Sequence, residues 1–250
     1  MRRATCPTYS IGGKVLRTVI YVDGQNLHYN LDALGLQEKD VDWGQVFEDL
    51  VPKGDRLIRV NWYQAARIAS WSWNAKYHSK MCPAGMKPDE FQKKAEEYYR
   101  TECDRLEKLH DAVYGRIEEN FDAIEFRYAG VLKVDPVQVW GAKPSELRIG
   151  RRVGEKGVDV GLAVDMVRQA AEYDHAILVS GDFDYVPALQ AVKDMLRSVT
   201  VVSVMKGTPP KHQGHARRLR GLCDAERQIF EADLKGKYKF QSGTAATKAP

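Results

Sequence analysis

The chain has 250 residues and a formal net charge of +4 at pH 7, with 44% hydrophobic and 29% charged residues. That composition excludes a disordered or collagen-like polymer, and the length suits a domain carrying an insertion better than one uniform domain. The charge is too small to establish a nucleic-acid partner by itself, and the apolar runs are too short to cross a bilayer.

The opening "MRRATCPTYSIGGKVLR" is polar and broken by glycines, so no secretory signal is expected and cytoplasm is the default compartment. "RTVIYVD", residues 17–23, is an apolar, β-branched run stopped by Gly24 and reads as a strand buried on both faces; "QNLHYNLDALG" then begins a helix. "RLIRVNWYQA" (56–65) is a second strand, and "AIEFRYAGVLKV" (123–134) a third, with Gly130 as a bulge or a turn. Between them, residues 88–120 place Phe91, Ala95, Tyr98, Leu106, Leu109, Val113 and Ile117 at three- and four-residue intervals, the pattern of a long amphipathic helix. Ahead of it, Trp71, Trp73 and Tyr77 mix with Arg67, Lys76, Lys80 and Lys87, either to stack bases and neutralise phosphates or simply to seat the arm. "VDVGLAVDMVRQAA" reads as a buried helix, "HAILVSGD" (175–182) and "SVTVVSVM" (198–205) as strands, and "YVPALQAVKDMLR" as the helix joining them. Strands alternating with helices predict an open, mostly parallel sheet covered on both faces. The segment 206–234 reads as a basic extension, and 235–250, which lacks a packable face, as a flexible tail.

Cys6, Cys82, Cys103 and Cys223 form no CxxC pair, and His78, Cys82, Cys103 and His110 match no standard zinc spacing.

In open α/β sheets, ligands bind at the carboxyl ends of the strands. Strand one ends at Asp23, the 175–180 strand ends just before Asp182 and Asp184, and Asp159 lies in the first turn of its helix, where helix capping is the structural alternative. Asp165 lies about 120° around that helix from Asp159, so the two share an ion only if the first turn is irregular. Carboxylates gathered in one place repel one another unless a cation sits among them, and oxygen-only donors suit Mg²⁺ or Mn²⁺. Magnesium completes its coordination with phosphate oxygens, so such a site predicts a phosphate-bearing substrate.

"YVDGQN" (21–26), "KGVDVGLAVD" (156–165) and "VSGDFDY" (179–185) resemble, in order, the motifs of NYN domains of the PIN-like nuclease superfamily, particularly the LabA-like or DUF88 branch. The resemblance spans most of 17–205 and implies a Rossmann-like three-layer α/β/α domain, here with a helical arm inserted at about 66–122, a Mg²⁺ or Mn²⁺ site and ribonuclease activity. By motif match, Asp23, Asp159, Asp182 and Asp184 take the catalytic and metal-binding roles, with Asn26, Asp165 and Ser180 supporting. Ions held there would activate a water for in-line attack on a phosphodiester, with Asp184 binding a second ion or serving as general base. Asn26 and Ser180 have local structural readings as well, as turn residues that hydrogen-bond nearby backbone.

Basic residues frame the acids in sequence. Lys143, Arg148, Arg151, Arg152 and Lys156 lead into Asp159, while Lys206, Lys211, Arg217, Arg218 and Arg220, with His212 and His215, follow the last strand. Either segment alone reads as a solvated face; together they suit RNA, with Arg151, Arg152, Lys156 and Lys206 as substrate contacts. The arm is a candidate surface for homo-oligomerisation. Alternatives to the ribonuclease are a silent RNA-binding scaffold and a Mg²⁺-dependent small-molecule phosphohydrolase. Against the latter, no acid stands two positions after Asp23, and no GxxxxGK[ST] loop is present.

Overall fold

The computed structural model describes residues 15–141, 147–208 and 221–241. Lys143, Lys211, His212, His215, Arg217, Arg218 and Arg220, and the tail beyond residue 241, lie outside the described residues. The described residues divide into two compact units, the first drawn from within 1–64, 115–127 and 159–250, the second from within 65–114 and 128–158.

The first unit holds a six-stranded sheet flanked by helices, the three-layer α/β/α arrangement expected from the alternating pattern. In chain order its elements are β1 (Arg17–Asp23), α1 (Gly24–Ala33), α2 (Trp43–Leu50) and β2 (Arg56–Ala65). After an excursion into the second unit come β3 (Ile124–Ala129), and later β6 (His175–Val179), α7 (Val186–Asp194), β7 (Ser198–Met205), β8 (Ala225–Phe230) and α8 (Glu231–Lys235). The strand order is β3-β2-β1-β6-β7-β8. β1 pairs in parallel with β2 and β6, β6 with β7, and β7 with β8.

Because β1 has a neighbour on either side and layers on both faces, six of its seven residues are buried, and only an unbroken apolar run tolerates that position. Chain order reverses between β1 and β6, which makes their carboxyl ends the topological switch point. At the opposite end, the Arg17 backbone N–H and Nε donate to Asp174 at 3.0 and 3.1 Å and fix where β1 enters the sheet. α2 was not foreseen, yet it is capped by Asp42 accepting the Gln45 N–H and buries Trp43, Val46, Phe47 and Leu50. Trp43 and Trp62 meet edge to face at 5.0 Å, and Phe126 lies 5.0 Å from Trp62, so one side of the sheet is packed with aromatic rings.

The sheet continues past residue 205. β8 falls in the segment read as a basic extension, and residues 238–240 also bond to residues 40–42: the Asp42 N–H donates to Tyr238 O at 2.8 Å and the Phe240 N–H to Asp40 O at 2.9 Å.

The second unit contains α3 (Ala75–His78), α4 (Pro88–Leu109), β4 (Val131–Trp140) and β5 (Arg148–Lys156). The long helix expected over 88–120 is α4, a π-helical turn at His110–Tyr114 and α5 (Gly115–Asn120) in succession. The strand expected over 123–134 breaks at Gly130, which adopts φ +60 and where a Cβ would sit 2.1 Å from Lys156 O. Glycine is therefore required there, and the chain turns from β3 into β4, which pairs antiparallel with β5. β5 is most of the basic segment that leads into Asp159. Phe91, Ala95 and Val137 form this unit's core, with Trp71, Trp73, Cys82, Met86, Val139 and Ile149 packed on it. Trp73 meets Phe91 edge to face at 5.7 Å, so this aromatic seats the helix.

Candidate active site

β1 ends at Asp23, which leaves helical geometry to cap α1: its Oδ1 accepts the Asn26 backbone N–H at 2.9 Å. Gly24 follows because a Cβ there would lie 2.3 Å from both Tyr63 O and the Gln64 side chain, so the end of β1 meets the end of β2 at backbone contact. From the next strand over, the Ser180 hydroxyl donates to Asp23 Oδ2 at 2.9 Å and accepts the Asp182 N–H at 3.0 Å. The Gly181 N–H donates to Asn26 Oδ1 at 3.3 Å. Both oxygens of Asp23 are thereby fixed, and the first and third motifs are joined across the switch point.

The second motif enters on α6 (Val158–Arg168), whose first turn carries Asp159. The Tyr185 hydroxyl donates to Asp159 Oδ1 at 3.1 Å and has Asp23 within reach as its alternative acceptor. Tyr185 is buried and closes the 3₁₀ turn Phe183–Tyr185, which Asp182 caps by accepting the Asp184 N–H at 3.0 Å. Tyr185 closes the third motif, and the sequence alone gives it no role. Its link to Asp159 spans 26 residues and leaves no trace in local spacing.

Asp23 is 3% exposed. Burial pushes its carboxyl up to about 6, and the Asp159 charge adds to this, while the Asn26 N–H, Ser180 and Tyr185 hydrogen bonds pull the other way. Burial, then Asp23 and Asp159, raise the Tyr185 phenol, so it remains a donor. Among the described residues no lysine or arginine is ion-paired with Asp23, Asp159, Asp182 or Asp184.

Asp165 lies in a different network. Its Oδ2 accepts the Tyr63 hydroxyl at 2.7 Å and lies 3.5 Å from Arg127, and its Oδ1 accepts Arg168 Nη2 at 2.9 Å. Burial works against that carboxylate, but the Tyr63 and Arg168 hydrogen bonds and the two arginine charges outweigh it and hold its pKa below the usual range. Gln169, accepting the Tyr21 hydroxyl at 2.8 Å, ties the same helix to β1. These contacts act on the site by holding α6, and so Asp159, in place.

Among the described residues no three His, Cys, Asp or Glu side chains are grouped to hold a metal ion. Tyr185 stands between the Asp23 and Asp159 carboxylates, Ser180 ties the Asp23 carboxylate to the Asp182 backbone N–H, and Asp184 is exposed on the turn. A cation-free pair such as buried Asp23 and half-buried Asp159 fits Mg²⁺ or Mn²⁺, which need only one or two protein carboxylates and take water and phosphate oxygens for the rest.

Of the basic residues, Arg151, Arg152 and Lys156 lie on β5 in the second unit, where Arg152 Nε donates to Glu102 at 2.6 Å. Lys206 follows β7 in the first unit and is exposed.

The sequence profile of the NYN domain matches residues 98–227, more than half of the chain. The chain belongs to the NYN domain family. The matched segment carries Asp159, Asp165, Asp182 and Asp184, with Asp23 ahead of it, and the assignment is consistent at the superfamily level with the PIN-like nucleases. This NYN protein is also similar to 6-hydroxy-3-succinoylpyridine 3-monooxygenase HspA of Pseudomonas putida, at 32% identity over 216 residues, 80% of this chain. It spans 62% of that relative's length. A solved structure of a protein of unknown function from Vibrio parahaemolyticus aligns with a TM-score of 0.45 at 18% identity, covering 86% of this chain and 93% of the other. No helix among the described residues is long and apolar enough to cross a membrane.

Proposed function

We propose that this NYN protein is a Mg²⁺- or Mn²⁺-dependent ribonuclease that cuts RNA internally, with its active centre at Asp23 and Asp159. The observation that carries the reading is the pair itself: two carboxylates from separate motifs, within reach of one phenol at the switch point, with no basic partner among the described residues. An acidic pair without a cation is costly, and a divalent ion would offset that cost. Family membership supports a nuclease; the LabA-like branch rests on motif resemblance.

Bound at the pair, the ion would supply positive charge to the attacking and departing oxygens of a phosphodiester. Ser180 and the Asn26 N–H hold Asp23 in one orientation. A phenol donates one strong hydrogen bond at a time, so Tyr185 orients one carboxylate while the other stays open to a ligand. Asp184, exposed on the turn, is the carboxylate left to take a proton from the attacking water.

The test is labelled RNA, single-stranded DNA and a phosphomonoester incubated with the purified protein in Mn²⁺ or in EDTA. RNA is expected to be cut in Mn²⁺ only, and not by Asp159→Asn or Asp182→Asn. Cleavage that survives EDTA or both substitutions places the chemistry elsewhere, and RNA binding without cleavage favours the scaffold. The 32% identity to a protein named as a hydroxypyridine monooxygenase favours one second reading, an enzyme acting on a small heteroaromatic acid. Oxygen-dependent turnover of 6-hydroxy-3-succinoylpyridine by this chain, with RNA untouched, would decide for it.

A further inference from the structure

Beside Asp23 lies a cleft of about 430 Å³, formed by α1 and the carboxyl ends of β6 and β7. That volume is within the range of about 300–1,000 Å³ usual for small-molecule sites. We propose that this cleft is a nucleotide subsite, holding the base and sugar of the RNA residue next to the bond being cut; the proposal deepens the ribonuclease reading and rests on it.

Three features of the lining carry the assignment. One wall is apolar, with Leu27, Leu34 and Met205, and suits the faces of a flat ring. The other is polar and neutral. Asn30 presents its amide there, with its Nδ2 already donating to Asn26 O and Oδ1 at 2.7 and 3.0 Å, which leaves the carbonyl oxygen to accept from a ring N–H. Ser203, 8% exposed, lines the cleft with its hydroxyl lacking any hydrogen-bond partner among the described residues. A buried hydroxyl without a partner costs about 1–3 kcal/mol, which a polar occupant reached by a small side-chain rotation would relieve. Among the described residues no acid lines the cleft, and Lys206 does, so an anionic ligand is favoured over a cationic one.

Location supplies the link to chemistry. Ser180 and Asn26 line the cleft and also hold Asp23, so an occupant rests against the same groups that orient the acid. Among the described residues no aromatic ring lines it, so recognition would come from the polar wall and from shape rather than from stacking.

The test titrates the full chain, in EDTA, with nucleoside 3′- and 5′-monophosphates, with ribose 5-phosphate and inorganic phosphate as probes lacking a base. At least one nucleotide is expected to bind about tenfold or more tighter than ribose 5-phosphate. Ser203→Ala should weaken it about fivefold, the worth of one hydrogen bond. Ala33→Phe, at an exposed α1 position on the cleft wall, should block it without touching an acid, and Lys206→Ala should weaken nucleotide and phosphate alike. Thermal melts confirm that each variant is folded. Nucleotides that bind no tighter than ribose 5-phosphate, or that bind Ala33→Phe as well as wild type, overturn the subsite, as does a small heteroaromatic acid without phosphate binding in their place. Because EDTA removes the cleavage step, Mn²⁺-dependent RNA cutting without nucleotide binding sinks the subsite alone. Nucleotide binding without RNA cutting in Mn²⁺ sinks the ribonuclease reading instead.

Discussion

The Tyr185 hydroxyl donates to Asp159 Oδ1 at 3.1 Å with Asp23 within reach as its alternative acceptor, so one phenol stands between the end of β1 and the first turn of α6. Its hydrogen bond favours the charged form of Asp23. Tyr185→Phe should therefore raise the Asp23 pKa further above about 6 and move the acid limb of metal-dependent RNA cleavage to higher pH. It should also cost about 1–2 kcal/mol of stability at neutral pH, since a buried carboxylate loses a donor. A pH–rate profile decides the matter: a tyrosine that merely fills space gives the same acid limb when replaced by phenylalanine.

Asp23 titrates at about 6 in the fold, against 3.8 for the ordinary side chain. A carboxyl whose pKa is raised by folding contributes stability that is fully present below about 4 and is lost as pH rises through about 6. A displacement of that size is worth about 3 kcal/mol. Asparagine keeps the α1 cap and has no charge to bury, so metal-free Asp23→Asn should gain about 3 kcal/mol relative to wild type between pH 4 and pH 7. Urea denaturation at both pH values measures the difference; a gap that does not change with pH shows Asp23 to be solvated and the burial argument wrong.

Divalent ions should reverse that penalty. Binding only to the folded state at a hundred times the dissociation constant stabilises by about 2.7 kcal/mol. Wild type should therefore melt several degrees higher in Mn²⁺ than in EDTA, while Asp159→Asn should show little shift. Equal shifts in the two proteins would mean that the ion binds away from the pair, whatever the activity.

The fold was readable where burial leaves no choice of residue. β1, β6 and β7 are enclosed on both faces, so their apolar β-branched runs stand out, and Gly24, Gly130 and Gly181 mark where they or their neighbours turn. β5, "RIGRRVGEK", and β8, "AERQIF", were not readable as strands. β5 sits in a two-stranded sheet and leaves charged side chains unburied, and four of the six β8 residues are only half-buried. At the site, the acids were visible because carboxylates after strands are rare and costly. Helical geometry also turned Asp165 away from Asp159, and its Tyr63 and arginine partners are in keeping with that. What escaped was the phenol and the arginines around Asp165, because a tyrosine or arginine in sequence reads as core or solvated face until its distant partner is known.

Arg152 and Lys206, both read from sequence as RNA contacts, should separate on substitution. Arg152 Nε lies 2.6 Å from Glu102, which is 8% exposed, so the arginine is the counter-ion of a buried carboxylate in the second unit. Removing one member of such a pair leaves an uncompensated charge and costs about 3–5 kcal/mol, less here because Arg152 is partly exposed and Arg105 lies 4.0 Å from the same glutamate. Arg152→Ala should lower the melting temperature and leave the salt dependence of RNA binding nearly unchanged. Lys206 is exposed and forms no ion pair among the described residues, so Lys206→Ala should leave stability alone and reduce the slope of log K against log salt by about 0.7, the value for one contact to a single strand. Binding isotherms at three or more salt concentrations, read beside thermal melts, test both halves. A salt slope that falls with Arg152→Ala and not with Lys206→Ala would exchange the two roles and move the RNA path onto β5.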